Sequence, residues 1–367
     1  MSFDPAILVV PGVRSLQPYQ PGKNIEELER ELGISGIVKL ASNENPRAPS
    51  ASVGRAVTHM LPELSRYPDG GGFHLKQALA DQLAVDPGQI TLGNGSNDVL
   101  ELITRAFVRP GQGVIVAQHS FAVYTLAAKS AGADLRVVPA VCWGHDLEGM
   151  AEVVDGETRI VFIANPNNPT GTWVSRDLLI DFLDSIPNHV LVVLDEAYFE
   201  YVEEENYPDG IQLLSHCPGL IVTRTFSKIH GLAGLRVGYS VSSSEIAEIL
   251  NRVRQPFNVN ALGYVAALAA LEDEEFVLES RTLNREQMSR MCEDFDRLEL
   301  KWIPSAGNFV SVDVGRPAAP VFQRMLRSGV IVRLIENYGM PNHLRITVGL
   351  EEENARALSA LETALVE

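Results

Sequence analysis

A chain of 367 residues is long enough for about two domains, and 46% hydrophobic with 21% charged residues is an ordinary globular balance. The net charge of −17 argues against a nucleic-acid-binding surface, so an anionic ligand would need a locally basic pocket and arginines near motifs become informative. Cys142, Cys217 and Cys292 form no CxxC pair and the eight histidines show no HExxH spacing, which argues against a disulfide framework or a metal site and for a reducing compartment.

Near the N-terminus the apolar run Ala6 to Val10 is too short for a signal sequence and lacks a basic flank. No stretch reaches the roughly 18 apolar residues of a membrane span. A cytoplasmic protein with no membrane partner is expected. Residues 1–40 read as a Pro-broken arm bearing Tyr19, then a short helix opened by Asn24 with Glu26 and Glu27 in its first turn and closed near Gly33.

Ile37–Leu40 is a short strand candidate that runs into the polar segment Asn43-Glu44-Asn45-Pro46. Helical spacing over 50–62 and 72–84 flanks the loop Arg66-Tyr67-Pro68-Asp69-Gly70. Ile90-Thr91-Leu92 then leads through Gly93-Asn94-Gly95-Ser96-Asn97-Asp98 into an apolar helix. A strand, a Gly-rich turn and a helix in that order leave backbone N–H groups free at a helix N-terminus. There Gly95 admits a phosphate closely and Ser96 and Asn97 add contacts; the same residues also suit a plain helix cap.

Three apolar runs, Val114–Val116, Ile160–Ala164 and Val190–Leu194, and a further strand candidate, Leu135–Val138, alternate with helical segments. Continuous Val/Ile/Leu strands between helices predict an α/β fold, a mostly parallel central sheet sandwiched by helices. In such sheets ligands bind outside the strands' carboxyl ends. Phe121, Asn168, Asp195 and Tyr198 all follow or end such runs. After the strand Leu220–Thr223 comes Thr225-Phe226-Ser227-Lys228, with Arg236 eight positions beyond the lysine and opening one more strand to Val241. A lysine in apolar surroundings tends to lose its proton, and a neutral amine is what a Schiff base to an aldehyde cofactor requires.

From Pro256 the chain is helix-rich through Leu298; Lys301–Ile303, Phe309–Val312, Val330–Arg333 and Leu344–Val348 read as strands of a smaller α+β layer, closed by a helix from Glu351. Arg333 and Arg345 interrupt otherwise apolar strands, which favours an anion pocket between them. The expected division is therefore 1–40, an arm and helix joining the small domain; 41–255, the large ligand-binding domain; and 256–367, the small C-terminal domain.

These parts assemble into one site if a pyridoxal phosphate ring lies at the sheet edge. Lys228 then meets the aldehyde carbon, and Asp195 pairs with the ring nitrogen. Asn168 and Tyr198 reach the phenolic oxygen, and Phe121 covers a face. Ser96, Asn97, Thr225, Ser227 and Arg236 hold the phosphate.

Asn167-Asn168-Pro169-Thr170-Gly171, Asp195-Glu196-Ala197-Tyr198 and Thr225-Phe226-Ser227-Lys228 resemble the motifs of fold-type I pyridoxal-phosphate-dependent aminotransferases. Asn43-Glu44-Asn45-Pro46, Arg66-Tyr67-Pro68, Tyr338-Gly339-Met340-Pro341-Asn342 and Leu344-Arg345-Ile346-Thr347-Val348-Gly349 narrow the resemblance to the histidinol-phosphate aminotransferase group, in order over nearly the whole chain. It implies a homodimer with active sites at the subunit interface, a small-molecule amino donor and keto acceptor, and Lys228, Asp195 and Tyr198 as catalytic residues. It also implies that Tyr67 reaches the partner's cofactor phosphate and that Tyr19, Asn45, Arg333 and Arg345 lie on the substrate side. Arg47 and Ala48 stand where the group usually has Leu-Gly, Ile229-His230 replaces the commoner pair after the lysine, and Leu334 takes a frequent proline position. Expected near the substrate, these departures keep open an aromatic or secondary-pathway aminotransferase, or a threonine-phosphate-type decarboxylase.

Overall fold

The computed structural model describes residues 3, 8–14, 16–18 and 22–366. Its strands in chain order are β1 (Val38–Lys39), β2 (Ile90–Gly93), β3 (Gly113–Ala117), β4 (Asp134–Val138), β5 (Thr158–Ala164), β6 (Leu191–Asp195), β7 (Leu220–Thr225), β8 (Gly238–Val241), β9 (Lys301–Ile303), β10 (Phe309–Asp313), β11 (Val330–Ile331), β12 (Arg333–Leu334) and β13 (His343–Thr347).

Seven strands form the main sheet in the order β2-β8-β7-β6-β5-β3-β4. All pairings from β7 to β4 are parallel, and β8 runs antiparallel to both of its neighbours. The expected mostly parallel α/β sheet is thus present, with one reversed strand. Val161, Phe162 and Ile163 on β5 and Val192, Val193 and Leu194 on β6 are all fully buried. Side chains alternate across a strand, so burial at consecutive positions means that both faces are covered. One face packs a core that includes Leu79, Ile115, Val161, Val192 and Phe226; the other packs Val99, Ile103, Tyr124, Phe162 and Val193.

The four strands β12-β13-β10-β9 make an all-antiparallel second sheet. It shares a core with the helices Glu274–Arg297, Ala318–Arg327 and Glu351–Val366, through Phe295, Val312, Val321 and Leu361. The expected single strand Val330–Arg333 is split. Val330 and Ile331 pair in parallel with β1, whereas Arg333 and Leu334 pair with β13. Val332 lies at the crossover and carries the chain from one sheet to the other.

The helix Ile25–Leu32 begins as expected, with the Asn24 side chain accepting from Glu26 N, and Gly33 ends it in the left-handed region. Its Leu28 packs with Leu326 and Ile331 on the small-sheet side. Helix Ala261–Leu271 was expected with the C-terminal unit but joins the large core. Ala266, Ala267 and Ala270 pack in the cluster that also holds Leu79, Leu92 and Val237. The separation of cores therefore falls after this helix, because its small residues permit close packing on the large sheet's own helices. Among the described residues no helix is long and apolar enough to cross a membrane, and no group of His, Cys, Asp or Glu is placed to hold a metal ion.

Candidate active site

The parallel strands deliver their carboxyl ends to one edge, and the polar residues gathered there line an open cavity. Asp195 is the last residue of β6, in register with Ala164 of β5 and Thr223 of β7. Thr225 ends β7, and Ser227 and Lys228 follow in the next turn. Ser96 and Asn97 open the helix Ser96–Phe107 behind Gly95. Phe121 immediately precedes the helix Ala122–Ser130. Arg333 and Arg345 enter from the small sheet, where they are direct partners across β12 and β13. Asp195, Thr225, Ser227, Lys228, Ser96, Asn97, Phe121, Arg333 and Arg345, with Asn168, Tyr198 and Arg236, line this cavity, and Gly95 stands just behind its wall.

The helix after Gly93 begins at Ser96 with Gly95 as its cap residue and no side-chain cap. Asp98 turns back to accept from Asn94 N instead. Backbone N–H groups at the helix N-terminus therefore stay directed at the cavity, where an anion is favoured. Gly95 has φ +79°, and a β-carbon there would meet Arg236 Nη2 at 2.3 Å. Arg236 Nη1 donates to Ser227 Oγ at 3.2 Å and to Ala233 O at 3.3 Å. Arg236 was expected to open β8. It sits instead in the left-handed region at φ +55°, and the strand starts at Gly238. A side chain in extended β geometry would follow the pleat; the left-handed turn redirects this guanidinium toward the Ser96 helix.

Lys228 is partly buried, and its Nζ donates to Ser42 O at 3.2 Å. Burial, then the positive charge of Arg345, lowers its pKa to about 7. Asp195 is buried, and burial raises its pKa while the Tyr124 hydroxyl opposes the rise. Tyr124 Oη donates to Asp195 Oδ2 at 2.7 Å. Asp195 Oδ1 is buried with no hydrogen-bond partner among the described residues. A buried acceptor left so is costly, and a protonated ring nitrogen in the cavity would satisfy it. The donor set at the Ser96 helix likewise suits a phosphate. On both counts the residues fit pyridoxal phosphate.

Tyr198 Oη accepts from Asn43 Nδ2 at 2.8 Å, and burial pushes the phenol up to about 12. Asn43 is itself tied to β13 by Thr347 Oγ1, which donates to Asn43 Oδ1 at 3.1 Å. Asn168 Oδ1 accepts from Arg345 Nη1, and Arg345 Nη2 donates to Ala41 O at 2.7 Å. That leaves the Asn168 NH₂ as the donor available to a ligand.

Three expected residues are placed differently. Asn45 is not among the cavity residues: its Nδ2 donates to Ile229 O and Ser280 Oγ, and its Oδ1 accepts from Arg47 N. Asn43, two positions earlier, lines the cavity instead. Tyr67 is 83% exposed, stacked on Phe257 at 4.6 Å between centroids, and away from the cavity of its own chain. Tyr19 lies outside the described residues.

The departures Arg47, Ala48, His230 and Leu334 do not line the cavity either. Arg47 spans to the long helix, donating to Phe276 O at 3.1 Å and Ser280 Oγ at 3.2 Å, with an ion pair to Glu279. His230 packs beside Phe226 with Glu200 at 3.9 Å, and Leu334 pairs with Leu344. Arg47, His230 and Leu334 are engaged with neighbouring elements and Ala48 is exposed, so the structure places these departures apart from the cavity rather than beside the substrate.

Sequence reasoning missed Asn43 and Tyr124. Tyr124 stands three positions after Phe121, in the first turn of the helix that Phe121 caps, at the same carboxyl edge of the sheet. That signal could have found it.

Residues 35–361 match the model of a family described as aminotransferase class I and II. The chain is 56% identical over 367 residues to histidinol-phosphate aminotransferase 2 of Pseudomonas fluorescens, covering 100% of this chain and 99% of the relative. It is 55% identical over 360 residues to the protein of that name from Pseudomonas aeruginosa, covering 98% of each. Among solved structures, the histidinol-phosphate aminotransferase of Sinorhizobium meliloti in complex with pyridoxal-5'-phosphate superposes with a TM-score of 0.90 at 30% identity, over 97% of each chain.

Proposed function

Because the chain belongs to the aminotransferase class I and II family, we propose that it transfers the amino group of L-glutamate to imidazole acetol phosphate, yielding L-histidinol phosphate and 2-oxoglutarate in histidine biosynthesis. It is a pyridoxal-phosphate-dependent aminotransferase of fold-type I. When bound, the cofactor supplies a carbon that exchanges one amine for another and a protonated ring that accepts electron density.

The protein residues supply position and proton transfer. Ser96, Asn97, Thr225, Ser227 and Arg236 hold the phosphate, Asp195 holds the ring N–H, Asn168 and Tyr198 bond the phenolic oxygen, and Phe121 covers a face. Lys228, neutral for much of its time near pH 7, would be the base that moves the proton at the substrate carbon bearing nitrogen. Tyr198 keeps its proton at neutral pH and so acts as a donor.

The observation that carries the substrate reading is the Arg333–Arg345 pair, opposite one another on adjacent strands and facing the cavity that Lys228 and Asp195 line. Two guanidiniums at one wall suit a doubly charged phosphate as well as a single carboxylate. The large domain carries the cofactor and the small domain carries the arginines. The protein works in the cytoplasm as a homodimer, in which Tyr67 of each chain reaches the partner's cofactor phosphate and Tyr19 reaches the substrate.

Rates with histidinol phosphate, phenylalanine and tyrosine as donors to 2-oxoglutarate test the reading. Histidinol phosphate should lead clearly. A faster reaction with phenylalanine or tyrosine would move the assignment to an aromatic aminotransferase, and carbon dioxide released without a keto product would move it to a decarboxylase.

A further inference from the structure

The ring of Tyr124 is fully buried and lies flat on Phe162, 4.8 Å between centroids and 3° between planes. Its edge meets Phe121, 5.8 Å away at 84°. A phenol held by two such contacts has little freedom to redirect its hydroxyl. That hydroxyl donates to Asp195 Oδ2 at 2.7 Å. The other carboxylate oxygen, Oδ1, is the one left buried without a partner among the described residues.

The two oxygens of Asp195 are therefore unequal: the Tyr124 hydroxyl engages Oδ2, and Oδ1 has no such partner among the described residues. One is occupied from behind, and the second is kept for what enters the cavity. A carboxylate without that contact could turn about χ2, a broad torsion for aspartate, and present its oxygens in other directions. The donated hydrogen bond also favours the ionised form of the carboxylate.

We propose that Tyr124 is a positioning residue for cofactor binding, whose hydroxyl holds Asp195 with Oδ1 presented to the cofactor's ring nitrogen while its ring supports Phe121 from the side. The inference rests on the cofactor reading above. It concerns a residue that does not itself touch the ring nitrogen, and it makes Asp195 and Tyr124 one energetic unit.

Tyr124→Phe removes only the hydroxyl and keeps both aromatic contacts. A hydrogen bond to a charged group corresponds to roughly tenfold or more in affinity. Equilibrium dialysis of the apoprotein against pyridoxal phosphate should show that loss in Tyr124→Phe, and kcat should fall more than KM for the amino donor changes. In an Asp195→Asn background the same substitution should produce little further loss, since residues that act through one another are not additive.

An unchanged dissociation constant in Tyr124→Phe would overturn the proposal. So would an equal loss in the Asp195→Asn background, which marks an effect independent of the carboxylate. A Tyr124→Phe apoprotein that fails to fold, or melts far below the parent, would overturn it too, by making the hydroxyl a requirement of folding. Failure of the cofactor reading is separate: the unaltered protein would then not bind pyridoxal phosphate at all.

Discussion

Gly95 and Arg236 approach so closely that a β-carbon on residue 95 would stand 2.3 Å from the guanidinium Nη2. Across the same turn, a β-carbon on Gly238 would stand 2.3 Å from the backbone nitrogen of Ser96. The two glycines leave room for different things, a flexible side chain in one case and a fixed amide in the other. Gly95→Ala should fold with a strain of about 1–3 kcal/mol from its positive φ. The displaced Arg236 should weaken pyridoxal phosphate binding by about tenfold or more. Gly238→Ala cannot be relieved by a side-chain rotation and should cost more than Gly95→Ala in urea unfolding. Equal unfolding midpoints for the two variants would contradict this account.

Lys228 gives a pH signature. Its folded-state pKa is lowered to about 7 from 10.5, so between those values the unfolded chain binds the extra proton. The sign follows directly: the contribution of this group to stability rises with pH across that window and is least favourable below it. Apoprotein Lys228→Met lacks the term. The difference in unfolding free energy, Lys228→Met minus parent, should shrink as pH rises from 7.5 to 10, by at most about 1.4 kcal/mol per pH unit. A pH-independent difference in parallel urea titrations would show that the amine is not held neutral.

Lys228 also serves as a reporter for Tyr67. Lys228→Ala should bind cofactor, lose turnover, and yield no borohydride-trapped cofactor on residue 228. Tyr67→Phe alone should weaken cofactor affinity. If Tyr67 acts across the subunit interface, a hybrid dimer of one Lys228→Ala chain and one Tyr67→Phe chain contains one wholly intact site. That hybrid should regain the parent's cofactor affinity at half the sites. Tyr67 acting within its own chain predicts no intact site, and titration of purified hybrids distinguishes the two.

Arg345 and Arg47 should differ in kind. Arg345 lines the cavity and holds Asn168 and the Ala41 carbonyl at once. A lysine cannot reproduce that fork, so Arg345→Lys should lower kcat/KM for histidinol phosphate by about tenfold or more. Arg47 binds the long helix away from the cavity, with its guanidinium 4.6 Å from the Phe276 ring centroid. Arg47→Leu should cost about 1–2 kcal/mol of stability and leave the order of substrate preference unchanged. A changed order would return Arg47 to the substrate side.

The α/β class, the parallel runs and the polar residues that line the candidate site were legible because each rests on local chemistry. Apolar runs such as Ile160–Ala164 and Val190–Leu194 are strands by composition, and the polar residues that end them must gather at one edge once the strands are parallel. Asn168, Asp195, Tyr198 and Lys228 follow from that alone. The left-handed Arg236, the split between β11 and β12, and the large-core position of Ala261–Leu271 depend on what each segment packs against, which no window of sequence contains. The same holds for the pairing of Tyr124 with Asp195, 71 positions apart, and for Asn43 displacing Asn45 from the cavity. Local pattern determines which chemical groups reach the sheet edge; only the packed chain decides which of them are already engaged by a neighbour and which remain for a ligand.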